Sequence, residues 1–283
     1  MAQEREIATR LRSLDELKNI VAAIRAIAAS QMQQALRSLE AIRKYSEMIR
    51  EALSDAAELL PGARAPAQRS GNTKSAIIVF CAEHGLCGGF NEQLLQHLTK
   101  IGAKPFVLIV VGSRGGQISH ERGLKPDLVL PMATHCAGVT AAARRVAAEV
   151  YSRFSDGRIT ELEVIYAQNA GSQFARIEQR RLLPLEAPPI GKRPLPMPPL
   201  INLSPQLLFD DIVGEYFFAS LENAAMQSFF SENSTRFRTM EAAHQNIGNK
   251  SEDLTKLARR LRQEAVTTEI LDLISGAEAL SST

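Results

Sequence analysis

A glycine-rich stretch is the most direct hint of chemistry in this sequence. Gly85, Gly88 and Gly89 follow an apolar run and precede an amphipathic one, which is where phosphate-binding loops occur. Their spacing matches neither Gly-x-Gly-x-x-Gly nor a P-loop, and no Gly-Lys-Ser/Thr occurs anywhere in the chain. We therefore predict a tight turn that lets two backbone segments approach closely, and not a phosphate site.

Cysteine and histidine side chains are the next candidates for catalysis or metal binding. Cys87 lies in the glycine turn, but it has neither a basic pair nor a Cys-x-x-Cys partner, which predicts a packed thiol and not a nucleophile. The three cysteines and five histidines show no metal-ligand spacing, so we expect no metal and no cofactor. An odd cysteine count without such pairs also fits a reducing compartment.

Charge and hydropathy exclude further classes of protein. The 33 basic and 31 acidic side chains leave a net charge of +2, whereas nucleic-acid binders usually concentrate positive charge. No apolar run approaches the roughly 18–20 residues that cross a bilayer. The first ten residues carry acids and lack the apolar core of a secretory signal. We expect a soluble, cytoplasmic protein.

The N-terminal segment, residues 7–60, contains no glycine or proline. One position of a seven-residue repeat is apolar in every case, and its occupants are Ile7, Leu14, Val21, Ala28, Ala35, Ile42 and Ile49. Heptads sustained over this length predict a long coiled-coil helix.

The middle segment alternates short apolar runs with amphipathic stretches. We predict strands at residues 75–81, 105–111, 127–130, 159–167 and 174–183. Two helices lie between them, one capped by Asn91 and one beginning at Thr140. This alternation predicts a Rossmann-like α/β domain with a largely parallel sheet.

The C-terminal segment begins at Ser204 and Pro205, a capping residue followed by proline at the first helical position. A second a/d pattern, with polar interruptions, follows at Met226, Phe230, Asn233, Phe237, Met240, His244, Ile247, Ser251, Leu254, Ala258, Leu261 and Ala265. The predicted organisation is an N-terminal helix at 1–60, an α/β domain at 75–183, a strap at 184–204 and a C-terminal helix at 205–283. The strap holds seven of the thirteen prolines.

The two long helices need a partner along their apolar seams. A domain of this size is only about 35–40 Å across, so it cannot bury either helix fully. We predict that the helices pair with each other as an antiparallel coiled coil, with Leu53 near Ile212 and Ile7 opposite Ala258. The end of the C-terminal helix then lacks an intrachain partner although it is apolar on most sides, which predicts burial inside another protein. Its apolar residues are Ala265, Val266, Ile270, Leu271, Leu273, Ile274, Ala277 and Leu280.

Three stretches resemble the gamma subunits of F-type rotary ATPases. Residues 7–35 (IATRLRSLDELKNIVAAIRAIAASQMQQA) are similar to the N-terminal helix of that family. Residues 82–91 (AEHGLCGGFN) are similar to its glycine signature, and residues 240–280 to its C-terminal signature. The resemblance covers nearly the whole chain. It implies the central rotor shaft of an ATP synthase, carrying torque between a membrane ion-translocating ring and a catalytic hexamer.

The resemblance also implies partners and contact residues. The partners are a hexamer of catalytic and noncatalytic subunits, a membrane rotor ring and an epsilon-type subunit, at the cytoplasmic face of a bacterial membrane. Ile24 and Arg25 on the first helix would face the hexamer. So would four residues of the last helix, namely Arg262, Gln263, Thr267 and Glu269. The turn with Gly85, Cys87, Gly88 and Gly89 would lie in the foot domain.

The chain departs from the family pattern where several basic residues usually stand. These positions hold Ala22, Gln31, Gln33 and Gln34, which suggests a divergent branch such as the sodium-type enzymes. The cluster of Arg259, Arg260 and Arg262 fits either an interface or a solvated face. A passive coiled-coil scaffold and a nucleotide-binding α/β enzyme remain as alternative functions.

Overall fold

The structure is a computed structural model that describes residues 2–60, 74–101, 105–168, 176–184 and 200–281. Most of the predicted strap at 184–204 lies outside these residues, as does most of the linker that precedes the α/β domain.

Five α-helices and five strands form the described part of the chain. In chain order they are α1 (Ala2–Glu58), β1 (Ser75–Phe80), α2 (Phe90–Leu98), β2 (Phe106–Val111), α3 (Ser113–Glu121), β3 (Leu128–Leu130), α4 (Val139–Ser155), β4 (Glu161–Gln168), β5 (Arg176–Leu183) and α5 (Pro205–Ser281). A short 3-10 turn at Cys136–Gly138 leads into α4.

The strands form one sheet in the order β3-β2-β1-β4-β5. Neighbouring strands from β3 to β4 are parallel, with Ile78 of β1 aligned to Ile109 of β2 and Val164 of β4, while β5 pairs antiparallel with β4. Side chains of β1 alternate between two apolar clusters, since successive residues of a strand point to opposite faces. The prediction of a largely parallel Rossmann-like domain is confirmed.

Helices cover both faces of this sheet. On one face α2 and α3 supply Leu94, Leu95 and Ile118 to the core. On the other, α4 packs together with the middle of α1 and the first half of α5, which contribute Ala35 and Phe229. Both faces of the parallel strands are therefore buried, as such strands require.

Helix α3 is missing from the sequence prediction. Its sequence SRGGQISHE contains two adjacent glycines, and each makes a helix less stable by about 1 kcal/mol relative to alanine. The sequence therefore argues against a helix here. The structure gives the glycines a packing reason. A Cβ on Gly115 would lie 2.1 Å from Cys81 Cβ, and one on Gly116 would lie 2.7 Å from Val129 Cγ1. The helix can lie against the ends of β1 and β3 only because both side chains are missing.

The predicted capping role of Asn91 is wrong. Helix α2 begins at Phe90 after Gly89, and no side chain caps its first turn. Asn91 points inward instead, where its Oδ1 accepts a hydrogen bond of 2.8 Å from the Ala82 backbone N–H. A buried amide that ties the end of β1 to α2 satisfies a backbone donor that the turn would otherwise leave unpaired.

The chain divides into two compact units, one formed by Ala28–Arg236 and the other by Met1–Ile27 with Phe237–Thr283. In the first unit, Tyr45 of α1 donates a hydrogen bond to the Glu215 carboxylate of α5. Ala52 and Ala56 line an apolar groove together with Ile212, as expected from the predicted proximity of Leu53 to Ile212.

The second unit contains the start of α1 and the second half of α5. Arg25 Nη1 lies 2.6 Å from Glu241 Oε2, a pairing that agrees with the register placing Ile7 opposite Ala258. Every residue at the predicted heptad position of α1 is buried or half-buried. The antiparallel coiled coil of the two terminal helices is confirmed.

Candidate functional site

The end of α5 is an exposed apolar surface. Described side chains from Arg262 to Leu271 are all exposed, whereas Leu254, Ala258 and Leu261 are still half-buried on the seam. Val266, Ile270, Leu271 and Ile274 expose 48%, 51%, 58% and 51% of their surface. This fits the predicted unpaired tip, although the side chains of Leu273, Ala277 and Leu280 lie outside the described residues. Such a contiguous apolar surface on a helix marks a site of protein contact.

A basic band precedes this surface. Arg259, Arg260 and Arg262 are exposed, and no carboxylate lies within ion-pair distance of the Arg262 guanidinium among the described side chains. Gln263 is exposed beside it. Exposed guanidinium and amide donors next to apolar side chains suit recognition of carboxylates or backbone carbonyls on a partner.

Thr267 and Glu269 lie within the apolar surface. The Thr267 hydroxyl donates a hydrogen bond of 2.9 Å to the Gln263 carbonyl one turn earlier. Glu269 is exposed. The structure thus places all four predicted contact residues of α5 on one exposed, solvent-facing segment.

The two predicted contact residues of α1 lie in a different environment. Ile24 is half-buried on the seam, and Arg25 forms the ion pair with Glu241. The hydrogen bond from Arg25 holds the pKa of the Glu241 carboxyl below its ordinary value. Arg25 therefore joins the two helices within the chain, and its contact with a partner remains a prediction.

The glycine turn follows β1 and carries a left-handed residue. Leu86 has φ +63°, a backbone conformation that is uncommon for any residue other than glycine. Its side chain exposes 59% of its surface. Gly88, with φ +56°, has the freedom that this conformation requires. Cys87 between them is buried, and burial raises the pKa of its thiol to about 11. A neutral, packed thiol is what the sequence predicts at this position.

Side chains of α5 bond to the carboxyl ends of two inner strands beside this turn. Ser228 Oγ donates a hydrogen bond of 2.6 Å to the carbonyl of Phe80, the last residue of β1. Ser231 Oγ donates one of 3.0 Å to the carbonyl of Ala167 near the end of β4. Sequence reasoning missed both serines, although they stand out as polar residues within an apolar stretch of the C-terminal helix.

Arg236 extends this contact to the glycine turn. Its guanidinium donates hydrogen bonds of 3.2 and 3.3 Å to the carbonyls of Gly85 and His84, and it pairs with Glu232 at 2.7 Å. Burial raises the pKa of Glu232 to about 7, and the nearby Arg236 only partly offsets that effect.

The two serine contacts lie at the carboxyl ends of strands, the edge at which doubly wound folds bind ligands. Ligands of such folds lie outside the carboxyl ends of the strands, where the strand order reverses. Here that point lies between β1 and β4, and α5 bonds to the carboxyl ends of both strands. Carbonyls at the ends of both strands are thus already bonded to the helix, which disfavours the alternative of a nucleotide-binding enzyme.

A membrane span and a metal centre are the two other kinds of site to consider in the described residues. None of the described helices is long and apolar enough to cross a membrane. No group of three or more His, Cys, Asp or Glu side chains within the described ranges is arranged to hold a metal ion.

Comparison with known proteins gives a consistent result. A protein-family model described as ATP synthase matches residues 3–280. The ATP synthase gamma chain of Parafrankia sp. (strain EAN1pec) is 28% identical over 302 aligned residues, covering 99% of this chain and 98% of the relative. The ATP synthase gamma chain of Desulforamulus reducens is 24% identical over 284 residues, covering 99% of this chain and all of the relative.

Solved structures resemble the chain in fold. A chain in the rotor of the Euglena gracilis mitochondrial ATP synthase, in rotational state 1, has a TM-score of 0.65 at 12% identity and covers 94% of this chain and 99% of its own length. A chain from the OSCP/F1/c-ring assembly of the same enzyme has a TM-score of 0.68 at 13% identity, covering 99% of this chain and 95% of its own length.

Proposed function

The chain belongs to the ATP synthase family, within which its curated relatives are gamma chains, and from that premise we propose that it is the central rotor shaft of an F-type enzyme. It transmits torque between a membrane ion-translocating ring and a catalytic hexamer. The chemistry of ATP takes place on other subunits, and this chain is non-catalytic.

The exposed apolar end of α5 is the observation that carries this proposal. Val266, Ile270 and Leu271 are about half exposed on a helix whose preceding turns are paired with α1. Burying these side chains inside a ring of subunits would remove their apolar surface from water, at roughly 25 cal/mol for each Å². The hexamer is the sleeve that receives them.

Contacts with the hexamer extend from this tip. Arg262, Gln263, Thr267 and Glu269 on α5 face the catalytic subunits, and Ile24 and Arg25 on α1 pass through the same zone. The α/β domain with its turn at Gly85, Cys87, Gly88 and Gly89 is the foot. There the membrane ring and an epsilon-type subunit bind, at the cytoplasmic face of a bacterial membrane.

We also propose that the chain belongs to a divergent branch of the family, the sodium-type enzymes. The neutral residues of α1 support this assignment. Gln31 stands where the family usually carries a basic residue, and its Oε1 accepts a hydrogen bond of 2.8 Å from the Cys136 backbone N–H. It thus serves packing within the chain and adds no positive charge toward acidic hexamer loops. ATP hydrolysis by the whole enzyme should depend on Na⁺, and hydrolysis indifferent to Na⁺ would contradict this assignment.

Co-expression with the catalytic and noncatalytic subunits tests the main proposal. Native mass spectrometry should find one copy of this chain for each hexamer, and the isolated chain should not hydrolyse ATP. Two or more copies for each hexamer would exclude a central shaft, and so would hydrolysis by the purified chain alone.

A further inference from the structure

One face of α5 carries polar groups that are buried although the helix around them is apolar. Ser228, Ser231, Glu232 and Arg236 follow one another at spacings of three, one and four residues, so they project from one side of the helix. Ser228, Ser231 and Glu232 are all less than a tenth exposed. Buried polar groups destabilise a fold unless they are hydrogen-bonded, so their partners show what they hold.

The two serines reach two adjacent parallel strands. Ser228 donates to the carbonyl that ends β1, at 2.6 Å, and Ser231 donates to the carbonyl of Ala167 in β4, at 3.0 Å. These strands form the centre of the sheet, where both faces are covered. The helix is therefore bonded to two inner strands of the α/β domain.

Arg236 adds a contact with the turn that follows β1. Nη2 and Nε donate to the Gly85 carbonyl at 3.2 and 3.4 Å, and Nη2 also donates to the His84 carbonyl. Glu232 lies 2.7 Å from the same guanidinium, and the amide oxygen of Asn233 accepts from Nη1 at 3.2 Å. Two side chains of α5 thus orient the Arg236 guanidinium, which in turn donates hydrogen bonds to the turn.

Other hydroxyls of α5 bond differently. Thr255 and Thr267 each donate to the carbonyl four residues earlier in α5 itself. Such bonds connect the helix only to itself. Apolar packing is non-directional, whereas hydrogen bonds have narrow distance and angle requirements. The bonds from Ser228, Ser231 and Arg236 therefore fix both the rotation and the axial position of α5 against the sheet.

We propose that Ser228, Ser231 and Arg236 form a torque anchor, through which rotation of α5 is delivered to the α/β domain. The inference rests on the proposed shaft function and adds where the helix is fixed to the foot. Torque on α5 acts at the helix surface, and the anchor resists rotation there through bonds to two strands and one turn. Glu232 is a positioning residue that holds the Arg236 guanidinium.

The test is a double substitution, Ser228→Ala with Ser231→Ala, in the complete membrane-reconstituted enzyme. It removes both bonds to the strands and leaves the apolar packing of the helix in place. The number of ions pumped for each ATP hydrolysed should fall about twofold or more. The reason is that each lost hydrogen bond lowers the equilibrium constant for attachment of α5 to the sheet by about fivefold. The melting temperature and subunit composition of the complex are measured alongside, to separate coupling from folding.

Thr255→Ala is the matched control, since it removes a hydroxyl of α5 that bonds only within the helix. Its pumping ratio should equal that of the wild type. If the double variant does not assemble, Arg236→Lys replaces it, because lysine keeps the charge beside Glu232 and loses the fork.

An unchanged ratio in the assembled serine double variant, or in Arg236→Lys when that variant takes its place, overturns the anchor and leaves the shaft function intact. An equal fall in Thr255→Ala also overturns it. A wild-type chain that fails to join the hexamer would overturn both proposals.

Discussion

At the scale of single residues, the informative side chains are polar groups in unexpected places. Arg262 is exposed without a carboxylate partner among the described residues, whereas Arg25 on the other helix is paired. Glu232 is a buried carboxyl group on a stretch of helix whose other side chains are mostly apolar or carry hydroxyl groups. Each position makes a separate prediction, one about coupling to partners and one about stability of the fold.

Replacing Arg262 with alanine should weaken torque transfer without unfolding the shaft. The side chain is exposed and lies off the half-buried seam of Leu254, Ala258 and Leu261. Loss of one partly buried polar contact in the assembled enzyme amounts to about 1–3 kcal/mol. Assembled complexes should show slower ATP hydrolysis or a lower pumping yield, measured in the same vesicles.

The double variant Arg262→Ala with Gln263→Ala extends this test. It should lower coupling at least as much as the single change, with the subunit composition intact. Wild-type values of hydrolysis and pumping in both variants would remove these residues from the mechanism, although not the shaft itself.

The stability of the isolated chain should depend on pH through Glu232. Burial raises the pKa of this carboxyl to about 7, so the native state holds its proton more tightly than the unfolded chain does. The contribution of Glu232 to the free energy of unfolding is therefore fully present below about pH 4.5. It falls as pH rises toward about 7, by at most about 1.4 kcal/mol for each pH unit.

Glu232→Gln keeps the shape of the side chain and removes the titration. Urea unfolding at several pH values should show the stability of the variant rising relative to the wild type between pH 5 and pH 7. The exposed Glu252→Gln serves as the control and should run parallel to the wild type. A parallel profile for Glu232→Gln would show that the carboxyl does not titrate in this range.

At the scale of elements, periodicity predicts the long helices and hydrophobic runs predict the strands. The heptad residues of α1 are all buried or half-buried because a seven-residue repeat keeps one face toward the partner helix. Strands β1, β2 and β4 were predicted to within two residues at each end, since a strand buried on both faces reads as a continuous apolar run.

Two features could not be predicted because they depend on neighbours distant in sequence. Helix α3 has a composition that argues against a helix, and its glycines make sense only against Cys81 and Val129. The bonds of Ser228 and Ser231 join residues 148 and 64 positions apart. Sequence patterns mark these serines as polar interruptions but do not identify the carbonyls that they meet.

Gly115 tests the packing explanation for α3. A Cβ there would lie 2.1 Å from Cys81 Cβ and 2.7 Å from its sulfur, so Gly115→Ala should overpack the end of the sheet. The expected loss of stability is about 1–3 kcal/mol or more, measured by chemical denaturation. In α5, Gly214 has nothing within 4 Å of an added Cβ, so Gly214→Ala should instead stabilise by about 0.5–1 kcal/mol. Equal effects at the two positions would refute the explanation.

At the scale of the whole molecule, the chain combines two paired helices with an α/β domain whose central strands are bonded to one of them. Carbonyl groups at the carboxyl ends of β1 and β4 accept hydrogen bonds from α5, so the α/β layer is attached to this helix. In the unit that contains the second half of α5, Val266 and Ile270 are about half exposed. The chain thus has an exposed surface for protein contact in one unit and an α/β layer bonded to a helix in the other, which are the two parts that a central shaft needs.

Direct observation of rotation tests this account most simply. Tyr151 of α4 is exposed, and Cys81, Cys87 and Cys136 are all buried, so Tyr151→Cys offers one accessible thiol for a bead. With the hexamer fixed to a surface, added ATP should turn the bead stepwise in one direction, and the bead should stop when ATP is removed. Sustained ATP hydrolysis by the same complexes with a bead that never rotates would contradict the shaft function.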